Sequence, residues 1–473
     1  MINRKYKMKK IHFIWVFTLI FLITCLVSCD TKSTQTGGGG GTGPGDLDPV
    51  VTDISISPNT VTVLKGGNYQ FTATVMGRGD HNKLQEVTWS ASGGVPGTRI
   101  SATGLLTISD EEIAETIVVT VTSNHKTADG RYLSAIAIVT ISYFGGEWYV
   151  STVDQWIAAL QYIKAGRNNA FYVITVSADI SLPVTTGNTF GSPTGIMVTI
   201  CGTGSLALSA NGTLLQSGTG QTIIIQNITL YGKDSNNASL VIVNTGSAIR
   251  LEDSATITGN FTSGTAGGVL IRTGGVFTLD SSVIEDNSSS SSSGVGGVAV
   301  EGGVFYMRGS SRISDNKCTY NYGSSAGGVY VQSNGTFHLE NGTITRNTDS
   351  SDAGGVRVHS NGTFNMQNGT ISYNIANSGN GGGVYVAGRF TLQNGLIAGN
   401  SARNGFGGGL YLTSSAVFTK PGGTITGSNT PAPEGNTASN QGAAAYLPGS
   451  PNKWRNVAAG AGDIYDEFFW RND

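Results

Sequence analysis

The chain has 473 residues, of which 69 are glycine and only 12% are charged. Every acidic residue lies after position 28 and five basic residues precede it. The rest of the chain therefore carries 28 − 5 = 23 basic and 30 acidic groups, a net charge of 23 − 30 = −7. That balance excludes the basic surface of a nucleic-acid-binding protein. Regularly spaced apolar residues, described below, exclude a disordered low-complexity chain.

The N-terminus has the features of an export signal. Residues 4–10 are rich in lysine and arginine, and residues 11–27 form an apolar run, a combination typical of a signal peptide. Residues 26–29, Leu-Val-Ser-Cys, resemble the lipobox of bacterial lipoproteins. The resemblance implies that residues 1–28 are removed and that the sulfur of Cys29 carries a palmitate-type lipid anchor. A transmembrane anchor is the alternative, but the run is short for a span of about 20 residues.

A lipid anchor implies an exported protein held on the cell envelope, with the outer membrane or the cell surface as the expected location. Residues 29–49 follow the anchor and are rich in glycine, serine and threonine, with five consecutive glycines at 37–41. Such a composition predicts a flexible tether with a typical span of about 25 Å. The tether would separate the folded part of the chain from the membrane.

Residues 50–143 contain short runs that alternate between apolar and polar residues, which predicts a β-sandwich without helices. The predicted strands are residues 54–56, 60–64, 69–75, 87–91, 117–122 and 135–141. Four motifs resemble the bacterial Ig-like domain of group 2: ISISP from Ile54, VTVLKGG from Val61, FTATV from Phe71, and VTWS around Trp89. The resemblance implies a spacer or an adhesive unit without catalytic residues. Because the domain has no cysteine pair, we expect packing around Trp89 to form its core.

Residues 147–170 are predicted to form a short capping helix and the entry to a solenoid. Residues 151–155 offer a capping box. Apolar residues then recur at helical spacing, namely Val153, Trp156, Ile157, Leu160 and Ile163. A cap is expected because the open end of a solenoid exposes its apolar interior and unpaired strand edges.

Residues 171–447 contain an internal repeat. Six Gly-Gly-apolar units begin at Gly267, Gly296, Gly327, Gly354, Gly382 and Gly408. A Phe-x-apolar step follows in the first five units, at Phe277, Phe305, Phe337, Phe364 and Phe390. An Ile-x-x-Asn step then ends at Asn287, Asn316, Asn347, Asn374 and Asn400. The isoleucines are separated by 29, 31, 27 and 26 residues.

Three period-two runs in a unit of this length predict one coil of a parallel β-helix with three strands. About ten such coils would stack like residues on like, and the asparagines would form a hydrogen-bonded ladder. Aromatic residues in the tail predict that residues 448–473 cap the far end.

The Gly-Gly-apolar and Ile-x-x-Asn steps are similar to the repeats of polymorphic outer-membrane proteins, with Val in place of Ala and Ile in place of Phe. This resemblance implies a right-handed parallel β-helix that is displayed at the cell surface and serves adhesion. The pectin-lyase-like superfamily shares the architecture and includes many enzymes, but architecture alone does not transfer activity. The predicted fold class is all-β: an Ig-like β-sandwich followed by a right-handed parallel β-helix solenoid with a short N-terminal capping helix.

The middle residue of each Gly-Gly strand is predicted to face outward. This outer column consists of Leu270, Ala299, Tyr330, Arg357, Tyr385 and Tyr411, and Tyr306 and His338 face outward on the next strand. Tyrosines and polar groups on a rigid face can stack against sugar rings or contact a protein partner. We therefore predict ligand binding by Tyr330, Arg357, Tyr385, Tyr411, Tyr306 and His338. The alternative is mutual stacking of exposed aromatic rings that stiffens the coil.

Candidate catalytic groups are few. Asp286 and Asp315 hold the same place in adjacent coils, about 5 Å apart, which is near the carboxylate spacing of a retaining glycosidase. Arg346 holds that place in the next coil, so a solvated ion pair with Asp315 is the simpler interpretation. Polygalacturonase-type motifs are absent from the coils, and no enzymatic activity is predicted. His81 and His125 stand alone in predicted loops, so no metal or cofactor is predicted either.

The leading hypothesis is a monomeric, lipid-anchored surface protein whose β-helix binds a glycan or a host or matrix protein. In this hypothesis the Ig-like domain is a spacer or a second adhesive unit. A polysaccharide-active enzyme, lyase or hydrolase, is the competing hypothesis. A purely structural envelope protein is the third. The only predicted membrane contact is the N-terminal lipid, and no nucleic acid is expected as a partner.

Overall fold

A computed structural model of the chain describes residues 48–184, 188–321, 323–427, 435–440, 442–448 and 468–471. The predicted signal peptide, Cys29 and nearly all of the tether lie outside the described residues, as does most of the predicted C-terminal cap. Among the helices of the described residues, none has the length and apolar character needed to cross a membrane.

The first domain is a sandwich of mostly antiparallel strands. They are Val50–Ser57, Thr60–Leu64, Asn68–Gln70, Thr72–Arg78, Val87–Ser92, Arg99–Ile100, Leu105–Thr107, Thr116–Lys126 and Tyr132–Val150. Alternation places one face of each strand in the core: Ile117, Val119 and Val121 are fully buried, and the residues between them are partly exposed. The domain also contains a one-turn helix, His81–Leu84, so the prediction of a helix-free sandwich was wrong.

The core of the sandwich does not centre on Trp89. Phe71 and Leu106 are almost completely buried between the sheets, whereas Trp89 is only partly buried and packs against the core from its margin. The reason is topological, because Val87–Ser92 is the outermost strand of its sheet. The expectation that Trp89 would form the core was therefore wrong.

One long strand, Tyr132–Val150, serves both domains. Its first half pairs antiparallel with Thr116–Lys126 in the sandwich, and its second half pairs parallel with Ala170–Val176, the first strand of the solenoid. The predicted boundary between residues 143 and 147 falls inside this strand. From Pro49 onward the two domains belong to a single compact unit.

The predicted cap is present as the helix Val153–Lys164. Thr152 is its N-cap and accepts a hydrogen bond from the backbone N–H of Gln155, whose side chain in turn accepts from the backbone N–H of Ser151. Trp156, Ala159, Leu160 and Ile163 are buried against the first coils. The helix thereby covers the apolar end of the solenoid.

The solenoid is a stack of about ten coils whose strands form parallel sheets. The Phe sheet, named for its repeated phenylalanine, contains Ala170–Val176, Met197–Gly202, Thr222–Gln226, Ala248–Glu252, Val276–Asp280, Val304–Arg308, Thr336–Leu339, Thr363–Met366, Arg389–Leu392 and Val417–Thr419. The Ile sheet contains Ile180–Leu182, Ser205–Leu208, Thr229–Tyr231, Thr256–Thr258, Val283–Glu285, Arg312–Ser314, Thr343–Thr345, Thr370–Ser372, Leu396–Ala398 and Thr424–Ile425. The Gly-Gly sheet contains Leu215–Gln216, Val241–Val243, Val269–Ile271, Val298–Val300, Val329–Val331, Val356–Val358, Val384–Val386, Leu410–Leu412, Ala445–Pro448 and Phe468–Arg471.

The stacking of like residues confirms the predicted register. Phe305, Phe337, Phe364 and Phe390 are fully buried, with successive ring centroids 4.7–4.9 Å apart and planes within 9° of parallel. The asparagine ladder is present too. Each side-chain amide donates to the side-chain oxygen of the next member at 2.9–3.1 Å along Asn287, Asn316, Asn347, Asn374, Asn400 and Asn436.

Seven of the described coils, from Phe261 onward, also have a short fourth strand, which the sequence analysis missed. This fourth sheet contains Phe261–Thr262, Ser288–Ser289, Lys317–Cys318, Thr348–Asp349, Ile375–Ala376, Ser401–Ala402 and Thr437–Ala438. Its strands are two residues long and directly follow the asparagine, so they are too short to display a period-two pattern. The prediction of three strands per coil was therefore wrong for these seven coils.

Candidate functional site

The outer column points away from the central core but is not exposed. Tyr330 and Arg357 are only 3% and 7% exposed. The residues before the first four Gly-Gly pairs bridge from coil to coil and pack on the column, at Ala266, Val295, Ala326 and Ala353. These residues and the first members of the column form a second small core. The prediction of solvent exposure was wrong for Leu270, Ala299, Tyr330 and Arg357, which are all buried.

Arg357 is held by neighbours inside this second core. Its guanidinium carbon lies 4.2 Å from the ring centre of Tyr385 and 5.8 Å from that of Tyr330. One guanidinium nitrogen forms an ion pair with Asp352, and another donates to the hydroxyl of Ser324 at 3.2 Å. The arrangement pairs a buried cation with a carboxylate and two aromatic faces, which supports a structural role.

The remaining tyrosines of the column stack on one another. The ring centres of Tyr385 and Tyr411 are 5.0 Å apart, and those of Tyr411 and Tyr446 are 5.6 Å apart. Burial raises the pKa of Tyr411 to about 12. The structure therefore contains the mutual stacking that was the alternative interpretation of the column. The stacked rings are half-buried or buried, whereas that interpretation expected exposed rings.

Tyr306 and His338 form a separate pair on the Phe sheet. Their rings are parallel within 9°, with centres 4.9 Å apart. Burial lowers the pKa of His338 and so favours the neutral form of the imidazole. Both side chains are partly exposed and are available to a ligand at that face.

Asp286 and Asp315 lie at left-handed turn positions, with φ of 53° and 60°. Both carboxylate oxygens of Asp315 accept hydrogen bonds from Arg346, at 2.8 and 2.7 Å, and this contact lowers the pKa of Asp315. Burial and the neighbouring Glu285 raise the pKa of Asp286. The predicted ion pair between Asp315 and Arg346 is therefore present.

A polar cleft of about 450 Å³ opens beside the outer column. It is lined by Thr273, Ser293, Glu301, Tyr330, Gln332, Ser333 and His359. Nδ1 of His359 lies 2.8 Å from the hydroxyl of Ser333, which fixes the orientation of the ring. Half-burial of Glu301 raises the pKa of its carboxyl group, and the charge of Arg272 opposes that effect. The cleft thus combines a carboxyl, an imidazole, an amide and hydroxyls with one aromatic ring.

Sequence reasoning missed Glu301, Gln332 and His359. Each directly follows its Gly-Gly strand, so the three residues hold equivalent positions in consecutive coils. Stacking of equivalent positions brings them to one edge of the sheet. Their equivalent positions could have been read from the repeat. Because the three residues are of different types, however, a search for one residue type that recurs at one position does not find them.

Two family comparisons match separate parts of the chain. Residues 239–429 match the right handed beta helix region, and residues 50–130 match the bacterial Ig-like domain (group 2). The chain combines a group 2 bacterial Ig-like domain with a right-handed β-helix. Both domain predictions are confirmed. The likeness to polymorphic outer-membrane proteins stays a prediction.

Short stretches of the chain are similar to phage capsid proteins. It is 46% identical over 68 residues to the major capsid protein of Bacillus phage PZA, which is 14% of each chain. It is 40% identical over 85 residues to the major capsid protein of Bacillus phage B103, which is 18% of each chain. The chain spans less than a fifth of the length of these curated relatives.

Proposed function

We propose that this protein acts at the bacterial cell surface and binds a glycan in the polar cleft beside Glu301 and His359. The Ig-like domain and the β-helix together indicate a surface-type protein. In the proposal the Ig-like domain is a spacer or a second adhesive unit. Lipidation at Cys29, predicted from the lipobox, would hold the protein on the envelope.

The chemistry of the polar cleft carries the proposal. A glycan presents hydroxyl groups that both donate and accept, and Gln332, Ser333 and His359 offer both functions. The volume of about 450 Å³ falls in the range of roughly 300–1,000 Å³ that suits small ligands. That size favours a short saccharide over the surface of a host or matrix protein.

A glycan array probed with the full chain tests this function. We expect Gln332→Ala to weaken binding to the selected glycan by about tenfold, because a polar group of the bound sugar loses its partner. Thr413→Ala is the matched control, since Thr413 follows its Gly-Gly strand in the same way but does not line the cleft. Equal binding by the Gln332→Ala variant and the parent would contradict the proposal, and selective binding to matrix proteins would favour the protein-ligand alternative.

The raised pKa of Glu301 favours a second candidate function, cleavage of a polysaccharide by a lyase or hydrolase. A carboxyl that stays protonated at a higher pH than usual is suited to general acid catalysis. New reducing ends or unsaturated products from acidic polysaccharides would reveal the activity. Glu301→Gln is then expected to abolish it, with Asp286→Asn and Asp315→Asn testing the other carboxylates. Absence of product from the parent protein would remove this candidate.

A further inference from the structure

The junction of the two domains contains a second cleft, of about 670 Å³. The Ig-like domain contributes Lys65 and Asp110 to this junction cleft. The shared long strand contributes Tyr143 and Phe144, and the capping helix with its following turn contributes Tyr162 and Arg167. Ligand sites occur preferentially at domain interfaces. The volume again suits a small ligand and not a folded partner.

A β-bulge shapes the cleft. Phe144 pairs with Phe171 and Gly146 pairs with Tyr172, so Gly145 is an extra residue in the long strand. A Cβ at Gly145 would lie only 1.9 Å from a ring carbon of Tyr172, so the close packing of that ring requires glycine. Bulges are frequent next to functional sites, where they redirect side chains.

Aromatic rings along the cleft remain accessible. Phe144 and Tyr162 are each 56% exposed, although each also contacts another ring: Phe144 lies 4.8 Å from Phe171, and Tyr162 lies 4.9 Å from Trp148. These contacts hold the rings in place while a face or an edge stays open. Rigid, accessible rings bind a sugar at a small cost in conformational entropy.

The cleft also carries an excess of positive charge. Nζ of Lys65 lies 5.7 Å from the ring centre of Tyr143, and no ion pair involves Lys65 in the described part of the chain. Arg167 likewise forms no ion pair with any described acidic residue, including Glu115 in an adjoining cleft. Asp110 is the single acidic residue that lines the junction cleft. Two cations and one anion leave a net charge of +1 in a chain that is negative overall.

We propose that the junction cleft binds an acidic saccharide, with its ring against Phe144 or Tyr162 and its carboxylate near Arg167 and Lys65. The aromatic rings account for recognition of the sugar face, and the unpaired cations account for recognition of the acid. A neutral saccharide would leave both cations without an anionic partner. The site is separate from the polar cleft on the β-helix and does not depend on the function proposed there.

Calorimetric titration of the full chain with trigalacturonic acid, and with neutral maltotriose for comparison, tests the proposal. We expect the acidic trisaccharide to bind at least about tenfold more tightly than the neutral one, and its affinity to fall as salt is raised. Arg167→Gln and Lys65→Gln are each expected to weaken binding by about tenfold. Lys126→Gln is the matched control, because Lys126 also lies over a tyrosine ring, 5.2 Å from the centre of Tyr132, outside the cleft.

Other variants separate the aromatic contribution and the two sites. Phe144→Ala combined with Tyr162→Ala is expected to weaken binding by about tenfold, whereas the exposed Tyr149→Ala outside the cleft is expected to have no effect. Gln332→Ala should leave this binding unchanged, and Arg167→Gln should leave binding in the polar cleft unchanged. Equal affinity for both trisaccharides, or equal affinities of the Arg167→Gln, Lys65→Gln and Lys126→Gln variants, overturns the proposal.

Discussion

Buried polar groups find their hydrogen-bond partners differently in two neighbouring columns of the β-helix. In the asparagine ladder, Asn347 accepts from Asn316 and donates to Asn374, both at 3.0 Å, so identical neighbours satisfy each side chain. Two residues later, the buried column of the fourth sheet contains Thr262, Ser289, Cys318, Asp349, Ala376 and Ala402. Asp349 is the only ionisable carboxyl in this column, and the coils beside it offer a thiol and a methyl group.

The difference teaches how a solenoid accommodates polarity in its interior. A repeated amide carries both a donor and an acceptor, so stacking satisfies it at every step. A single carboxyl has no such neighbours, and its contact comes from a loop: the hydroxyl of Ser325 lies 3.0 Å from each carboxylate oxygen of Asp349. Burial raises the pKa of Asp349 to about 7. The ladder stabilises the coil at any pH, whereas the lone acid makes stability depend on pH.

The largest expected effect is the loss of one ladder member. Asn347→Ala removes five hydrogen bonds, with Asn316 (two), Asn374, Ile313 and Thr345. Because it leaves several buried groups without partners, we expect it to lower the free energy of unfolding by roughly 4–6 kcal/mol. Urea unfolding followed by far-UV circular dichroism measures the loss.

The control is an asparagine outside the ladder. Asn368 is exposed in a turn of the next coil, so Asn368→Ala is expected to change stability by less than about 0.5 kcal/mol. If both variants lost the same stability, the hydrogen bonds of the ladder would not stabilise the coil more than an exposed asparagine does.

Columns of one repeated residue could be predicted from the sequence. Phe337, Ile344 and Asn347 recur at fixed places in each repeat, so their stacking follows from the period of the strands. The burial of Arg357 could not be predicted in this way. It depends on contacts with Ser324 and Asp352, which belong to serine-rich segments of variable length between the repeated steps.

The candidate sites were less predictable than the fold. Three residues of the polar cleft occupy equivalent positions but differ in type, so the repeat pattern did not identify them: Glu301, Gln332 and His359. The junction cleft depends on contacts between segments far apart in sequence, such as Lys65 with Tyr143. Only the tertiary structure brings those segments together.

The second prediction concerns the lone acid. Since the pKa of Asp349 is raised, the stability associated with its protonated form is present at acidic pH and is lost as the pH rises through about 7. Asp349→Asn removes this ionisation, and its amide can donate to Ser325. We expect the variant to match the parent near pH 4 and to exceed it by roughly 2–4 kcal/mol at pH 8. Urea midpoints across this pH range measure the difference.

Asp234→Asn is the control for this pH profile. Asp234 is exposed, so replacing it is expected to leave the profile of the parent unchanged. An Asp349→Asn variant that loses stability between pH 4 and pH 8 as steeply as the parent would show that another group titrates. The contrast between the two columns would then need a different explanation.

The smallest expected effect lies one residue before the ladder, at the turn column. Asp315 and Arg346 have side chains that are 33% and 54% exposed, so we expect Arg346→Ala to cost less than about 1 kcal/mol near neutral pH. The lowered pKa of Asp315 means that this contribution is present above the usual carboxyl range and is lost as the pH falls. High salt should reduce it as well. Arg389→Ala, at an exposed arginine without an ion pair among the described residues, is the control. A loss at Arg346 as large as the loss at Asn347 would mean that burial does not decide how much a polar contact stabilises these coils. The two side chains are adjacent in sequence and both bond to a neighbouring coil, but only that of Asn347 is buried.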